Sequence, residues 1–173
     1  RVEWQLASDR RQASLTFARL QSPDRQYRHT LPDDVPVALY LRPDLDDRPN
    51  HQVTKAFQGP EKTLPAAVSA LSDGFRFQPS PGHGLTMHIS EGTFHESPEW
   101  HYQHPLPADA ERGLESATDI FCPGYFKCTL LGGSQTTIAV AVPDKDTAPG
   151  IPHVTAPTMP EKLPLREALR QSL

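Results

Sequence analysis

Residues 97–142 read SPEWHYQHPLPADAERGLESATDIFCPGYFKCTLLGGSQTTIAVAV, and the second half of that stretch decides the fold. Phe126, Cys128 and Leu130 alternate with Lys127 and Thr129; Ile138, Val140 and Val142 alternate with Thr137, Ala139 and Ala141. Successive side chains on a strand point to opposite faces, so this period-two alternation specifies strands with one buried face. Gly132-Gly133 lies between the two runs and predicts a hairpin joining them. The same alternation turns Cys128 inward beside Phe126 and Leu130.

The pattern repeats outward along the chain. Val35, Val37, Leu39 and Leu41 alternate with Pro36, Ala38, Tyr40 and Arg42. Pro36 cannot donate a ladder hydrogen bond, so this strand is expected at an edge, or paired only from its second residue onward. Leu85, Met87 and Ile89 alternate with Thr86, His88 and Ser90, while Val2–Leu6, Ala13–Leu20 and Phe75–Phe77 supply further short strands. Gln78–Gly84 reads as a turn-forming loop. The 19 prolines and 10 glycines favour short elements and tight turns over long helices. Together these features predict an all-β, antiparallel β-sandwich over residues 1–142. Residues 143–173 differ: a Pro-rich linker leads to Pro164, after which Leu165, Ala168, Leu169 and Leu173 share one helical face. A helix that short is not stable alone in water and needs a surface to dock on.

Length suits one domain with a real core. Seventeen basic residues stand against 21 acidic ones, a net charge of -4 that gives no basic face for nucleic acid or an anionic membrane. No apolar run approaches the ~20 residues that span a bilayer. The chain starts at Arg1 without an initiator Met or a signal-peptide pattern, as expected of an excised domain. Cys122 and Cys128 fit neither a disulfide framework nor a common metal spacing. Buried reduced thiols are the expected state, which points to the cytoplasm.

Five histidines fall between His83 and His104, and His101 and His104 form an H-x-x-H. Pro105 and Tyr102 favour an extended chain there, and residues three apart on a regular strand face opposite sides, so a shared metal ion is not expected. Glu111, Glu115 and Asp119 are spaced four apart, as on one helical face, while Asp33-Asp34 and Asp44, Asp46 and Asp47 cluster beside prolines as turn acids. No nucleophile elbow, phosphate loop or dinucleotide fingerprint occurs, so neither an independent active site nor a cofactor is expected. Trp100 and Tyr102, followed by Arg112, Glu115 and Asp119, form the set best suited to sugar: aromatic faces meet the apolar side of the ring, and polar groups bond its hydroxyls. Core packing of Trp100 and a structural pairing of Arg112 stand ahead of sugar contact, because Trp and Tyr are buried more often than they bind.

In its order of elements, residues 97–142 resemble the end of the N-terminal domain of bacterial and archaeal-type glycogen debranching enzymes. The matching features are the Trp100–Pro105 aromatic segment, Arg112-Gly113-Leu114, Asp119 with Ile120-Phe121, and Pro123-Gly124. Residues 37–54, VALYLRPDLDDRPNHQVT, resemble that family's alternating strand ending in Leu-x-Pro and the turn after it, with Arg48, His51 and Thr54 in place. Asn50 stands where the family has an aromatic, Glu115 where it has Asp, and Thr118 where it has a second acid. The resemblance implies a β-supersandwich domain joined through residues 160–173 to an α/α-barrel that carries the glycosidase acids. The parent would then cleave α-1,6-glucosidic branches in glycogen or a related α-glucan. This chain would contribute domain packing, and glucan contact, without catalysing. Arg48, His51, Arg112 and Glu115 carry over as signature positions, and Trp100, Tyr102 and Asp119 join them as candidates for substrate or domain contact. A stand-alone carbohydrate-binding module and a purely structural or protein-interaction β-domain are the alternatives.

Overall fold

The computed structural model describes residues 1–7, 11–22, 31–49 and 52–142. The expected linker and C-terminal helix, and His51, lie outside the described residues. Nine strands form two antiparallel sheets among those residues: β1 (Val2–Leu6), β2 (Gln12–Ala18), β3 (Val37–Leu41), β4 (Val68–Ala70), β5 (Gly74–Ser80), β6 (His83–Ile89), β7 (Thr93–Pro105), β8 (Ala117–Leu130) and β9 (Gln135–Ala141). The larger sheet has the order β1-β2-β9-β6-β5-β4 and the smaller β3-β8-β7, an all-β, sandwich-like arrangement. β3 lies at a sheet edge, with Pro36 just before its first paired residue.

The apolar faces meet between the sheets. Phe75 and Phe77 of β5 and Ile89 of β6 pack against Phe94 of β7 and Phe126, Cys128 and Leu130 of β8. Phe75, Phe94 and Phe126 form a ring cluster with centroids 4.9 to 6.1 Å apart. Such aromatic contacts add to the area each ring buries.

The chain turn at Gly132-Gly133 is not a hairpin. β8 pairs with β3 and β7, whereas β9 lies between β2 and β6 in the other sheet. The turn therefore carries the chain across the interior, and the two apolar faces oppose each other instead of lying side by side. Gly133 supplies the positive φ of 81° that the crossing needs. Arg19 fastens this corner, donating to the carbonyls of Pro32 at 2.7 Å and Leu130 at 3.1 Å.

Two short helical elements break the period-two pattern: a 3-10 turn at Ala56–Gln58 and α1 at Pro60–Ala66. With Pro60 opening α1 and Pro65 near its end, the segment is too short to show a helical period. The expected loop at Gln78–Gly84 is instead the tip of the β5–β6 hairpin, with strand continuing to Ser80 and resuming at His83. α2 (Pro107–Ala110) is a single turn joining β7 to β8.

Both cysteines are free and buried, and burial pushes the Cys128 thiol above its ordinary range. The Cys122 thiol donates to the Gly124 carbonyl at 3.1 Å. Neither thiol should react with iodoacetamide at mildly alkaline pH while the chain is folded, and both should react in urea. Mass spectrometry reads the count, and prompt labelling of Cys128 in the native chain would contradict its place in the core.

Candidate functional site

β7 and β8 pair along most of their length, with two register shifts. In the first, Ser97 and Pro98 stand opposite Pro123 alone, between the pairs Glu96–Gly124 and Glu99–Cys122. Proline has no N–H to give to a ladder, so a bulge is where both prolines fit. Pro123-Gly124 is therefore a bulge inside β8, where the sequence suggests a corner before a strand. In the second, Tyr102 and Gln103 stand opposite Asp119, between His101–Ile120 and His104–Thr118. This extra residue puts His101 and His104 on the same face of β7, correcting the expectation for an unbulged strand.

Asp119 lies at the second bulge, 3% exposed on β8, not on a helical face with Glu111 and Glu115. Its carboxylate accepts the Gln103 N–H at 2.9 Å, the donor that the bulge removes from the ladder. It also accepts the Ala56 N–H at 2.8 Å, across 63 residues of sequence. Beside it the Thr54 N–H donates to the Thr118 hydroxyl at 2.9 Å, and the Asp119 N–H donates to the Thr54 carbonyl at 2.9 Å. Leu45 exchanges backbone bonds with Phe121 at 2.7 and 3.1 Å. Leu45, Thr54 and Ala56 are thereby strapped along β8, which brings the described parts of the two signature segments together in space.

The side chains at this end of the sheet are paired. Arg48 donates to Asp46 and to the Gln52 carbonyl, and the Thr54 hydroxyl donates to the other Asp46 oxygen at 2.7 Å. Glu115 pairs with Lys55 at 2.9 Å, and Arg112 is exposed in the turn after α2. Arg42 bonds both Glu99 at 2.8 Å and the His101 ring at 3.0 Å. Trp100 packs half-buried on Phe121, with centroids 5.3 Å apart. Tyr102 stacks on Trp100 with ring centroids 6.4 Å apart and is 57% exposed. Among the described residues, no three His, Cys, Asp or Glu side chains converge as metal ligands would.

The Tyr102 hydroxyl donates to Glu61 of α1 at 2.6 Å. That bond, with lesser contributions from partial burial and from the Glu61 and Asp119 charges, holds the phenol above its ordinary range. Because the neutral phenol is the bonded form, its contribution to stability is present below the ordinary phenol pKa of about 10 and is lost as pH rises through the elevated one. In a titration that resolves Tyr102, its phenol should ionise above the ordinary range, and Glu61→Gln should lower its midpoint. Unchanged titration in that variant would dissociate the shift from Glu61.

The sequence reading reached Trp100, Tyr102, Arg112, Glu115, Asp119 and Arg48, and the structure brings them to one end of the β7–β8 ribbon. It missed Lys55 and Glu61, the charged partners of Glu115 and Tyr102. The Gly59-Pro60-Glu61 order is a helix-start signal that could have placed Glu61. A groove of about 570 Å³ lies elsewhere, on the outer face of β1, β2 and β9 among Glu3, Gln5, Thr16, Gln135 and Thr137.

The bulged ribbon, the strapped loop and the two-sheet core define an all-β, sandwich-like domain whose distinctive residues join a loop to a sheet end. A family model described as "Glycogen debranching enzyme N terminal" matches residues 21–137, more than half of the chain. The chain belongs to that family. No curated protein and no solved structure matches it. Among the described residues no helix is long and apolar enough to cross a membrane.

Proposed function

We propose that this chain is a non-catalytic accessory domain of a glycogen debranching enzyme, of the supersandwich type and acting in the cytoplasm. It packs against an α/α-barrel that holds the catalytic acids. The family match over residues 21–137 carries this reading. The carboxylates of the labelled end support it: Asp119 bonds backbone N–H groups, Glu115 bonds Lys55, Glu61 bonds Tyr102, and Asp46 bonds Arg48 and Thr54. Glycoside hydrolysis uses two carboxyl groups flanking one scissile bond, and these four face protein partners instead. The purified chain should release no sugar from a branched α-glucan. Measurable debranching by this chain alone would overturn the proposal.

Glucan binding is the second reading, favoured by the exposed Tyr102 ring backed by Trp100. Electrophoresis through glycogen should retard the chain, and Tyr102→Ala should abolish the retardation while leaving Trp100 packed on Phe121. Unretarded migration at high glycogen removes this reading and leaves the accessory role standing.

A further inference from the structure

The outer face of the smaller sheet carries a row of rings separate from the Trp100–Tyr102 pair. Register sets Tyr40, Lys127 and Thr93 side by side across β3, β8 and β7, with Tyr125 and His95 paired in the adjoining row. The intervening Leu41, Phe126 and Phe94 pack in or against the core, so alternation turns these five side chains outward. Trp100, by contrast, packs inward on Phe121. Tyr40 is 56% exposed and His95 is exposed, with half-buried Tyr125 between them. The Tyr125 centroid lies 5.8 Å from that of Tyr40 and 5.1 Å from that of His95, whose ring is within 17° of parallel. A 2.9 Å hydrogen bond between the Thr93 hydroxyl and the His95 Nε2 holds that ring in place. Lys127 keeps its ammonium 5.7 Å from the centre of the Tyr40 ring, and Arg42, bonded to Glu99 and His101, follows two residues after Tyr40.

We propose that this row is a second contact for an α-glucan chain, which rests on the glucan reading above and adds a site to it. Tyr125 braces Tyr40 on one side and His95 on the other, so the exposed rings lose little freedom when a sugar lies against them. Ring faces suit the apolar side of a sugar, while the Lys127 ammonium, the Tyr40 hydroxyl and the Thr93–His95 pair stand beside them as partners for its hydroxyls. Among the described residues of β3, β7 and β8, no Val, Ile, Leu or Met is exposed. The face therefore lacks the apolar centre on which a protein partner packs, and offers rings set among polar groups instead. A branched glucan presents many chains to one domain. Two weak contacts held at a fixed spacing then bind it far more tightly together than either does alone, so losing either one, Tyr102 included, loses retention.

NMR of the unmodified chain reads the two sites separately. A linear α-1,4-linked malto-oligosaccharide should shift the ring signals of Tyr40, Tyr125 and His95 saturably, and should still do so in Tyr102→Ala. In electrophoresis through glycogen, Tyr40→Ala with His95→Ala should lose most of the retardation, while the Tyr102 signals of that variant still respond to the oligosaccharide. The titration of the unmodified chain stands whether or not the double variant folds. Shifts confined to Trp100 and Tyr102, or retardation unchanged in the double variant, overturn the proposal and leave the glucan reading standing. Shifts at neither site remove both. Ring signals of Tyr40 and His95 that broaden with chain concentration and ignore the sugar also overturn it, since a second copy would then be the occupant.

Discussion

Asp119→Ala is expected to cost ~2–4 kcal/mol. The change leaves the buried Ala56 N–H and the part-buried Gln103 N–H without their acceptor; an unsatisfied buried donor costs about 1–3 kcal/mol, and the part-buried one costs less. The 3% exposure of Asp119 limits how far solvent can replace the carboxylate. Asp119→Asn should lose roughly half as much, since one amide oxygen remains while the NH2 group faces a second donor. Urea denaturation measures both, and the amides of Ala56 and Gln103 should exchange faster in each variant. Glu115→Ala is the contrast. Its pair with Lys55 is 63% exposed on the Glu115 side, and exposed ion pairs contribute about 0–1 kcal/mol. Two neighbouring signature acids should therefore differ several-fold in their effect on stability. A cost below ~1 kcal/mol for Asp119→Ala would mean that water already serves those donors.

The strands were legible because alternation is local. Phe126, Cys128 and Leu130 point inward as their spacing predicts, and Pro36 marks the start of an edge strand. What joins the strands was not legible. Gly132-Gly133 suits a hairpin and a crossing between sheets equally well, and only the partners of β8 and β9 separate the two. The bulges were hidden for a related reason. An inserted residue changes which side chains share a face, and the strand opposite must be known to see it, so His101 and His104 were placed on opposite sides. The residues of the candidate site were recognisable by type, but their partners lie far away: Asp119 bonds Ala56, Tyr102 bonds Glu61, and Glu115 bonds Lys55. Nothing in local spacing carries that information. Asp119 stands among the candidates for substrate or domain contact, and its carboxylate bonds two segments of backbone that its sequence neighbours do not announce.

Gly124→Ala should be strongly destabilising. Gly124 has φ of +154°, and a methyl group there would stand 2.1 Å from the His95 carbonyl oxygen and 2.8 Å from the Ser97 nitrogen. Both obstacles are backbone, so no rotamer change relieves them; the β7–β8 pairing itself must open. Strain at a disfavoured φ costs about 1–3 kcal/mol and overpacking a similar amount, for a sum of ~4 kcal/mol. Opening the ribbon would also disturb Phe94 and Phe126, which pair two residues away and hold the ring cluster. Gly113→Ala isolates the conformational part. Gly113 has φ of +75°, but a methyl there meets open space, so only strain of about 1 kcal/mol remains. Thermal or urea unfolding should rank the two far apart. Equal, small losses would mean that the close approach at His95 is absent in solution. A large loss at Gly124 alone explains why Pro123 and Gly124 occur together: the proline needs the bulge because it has no N–H, and the glycine allows the opposing strand to approach it.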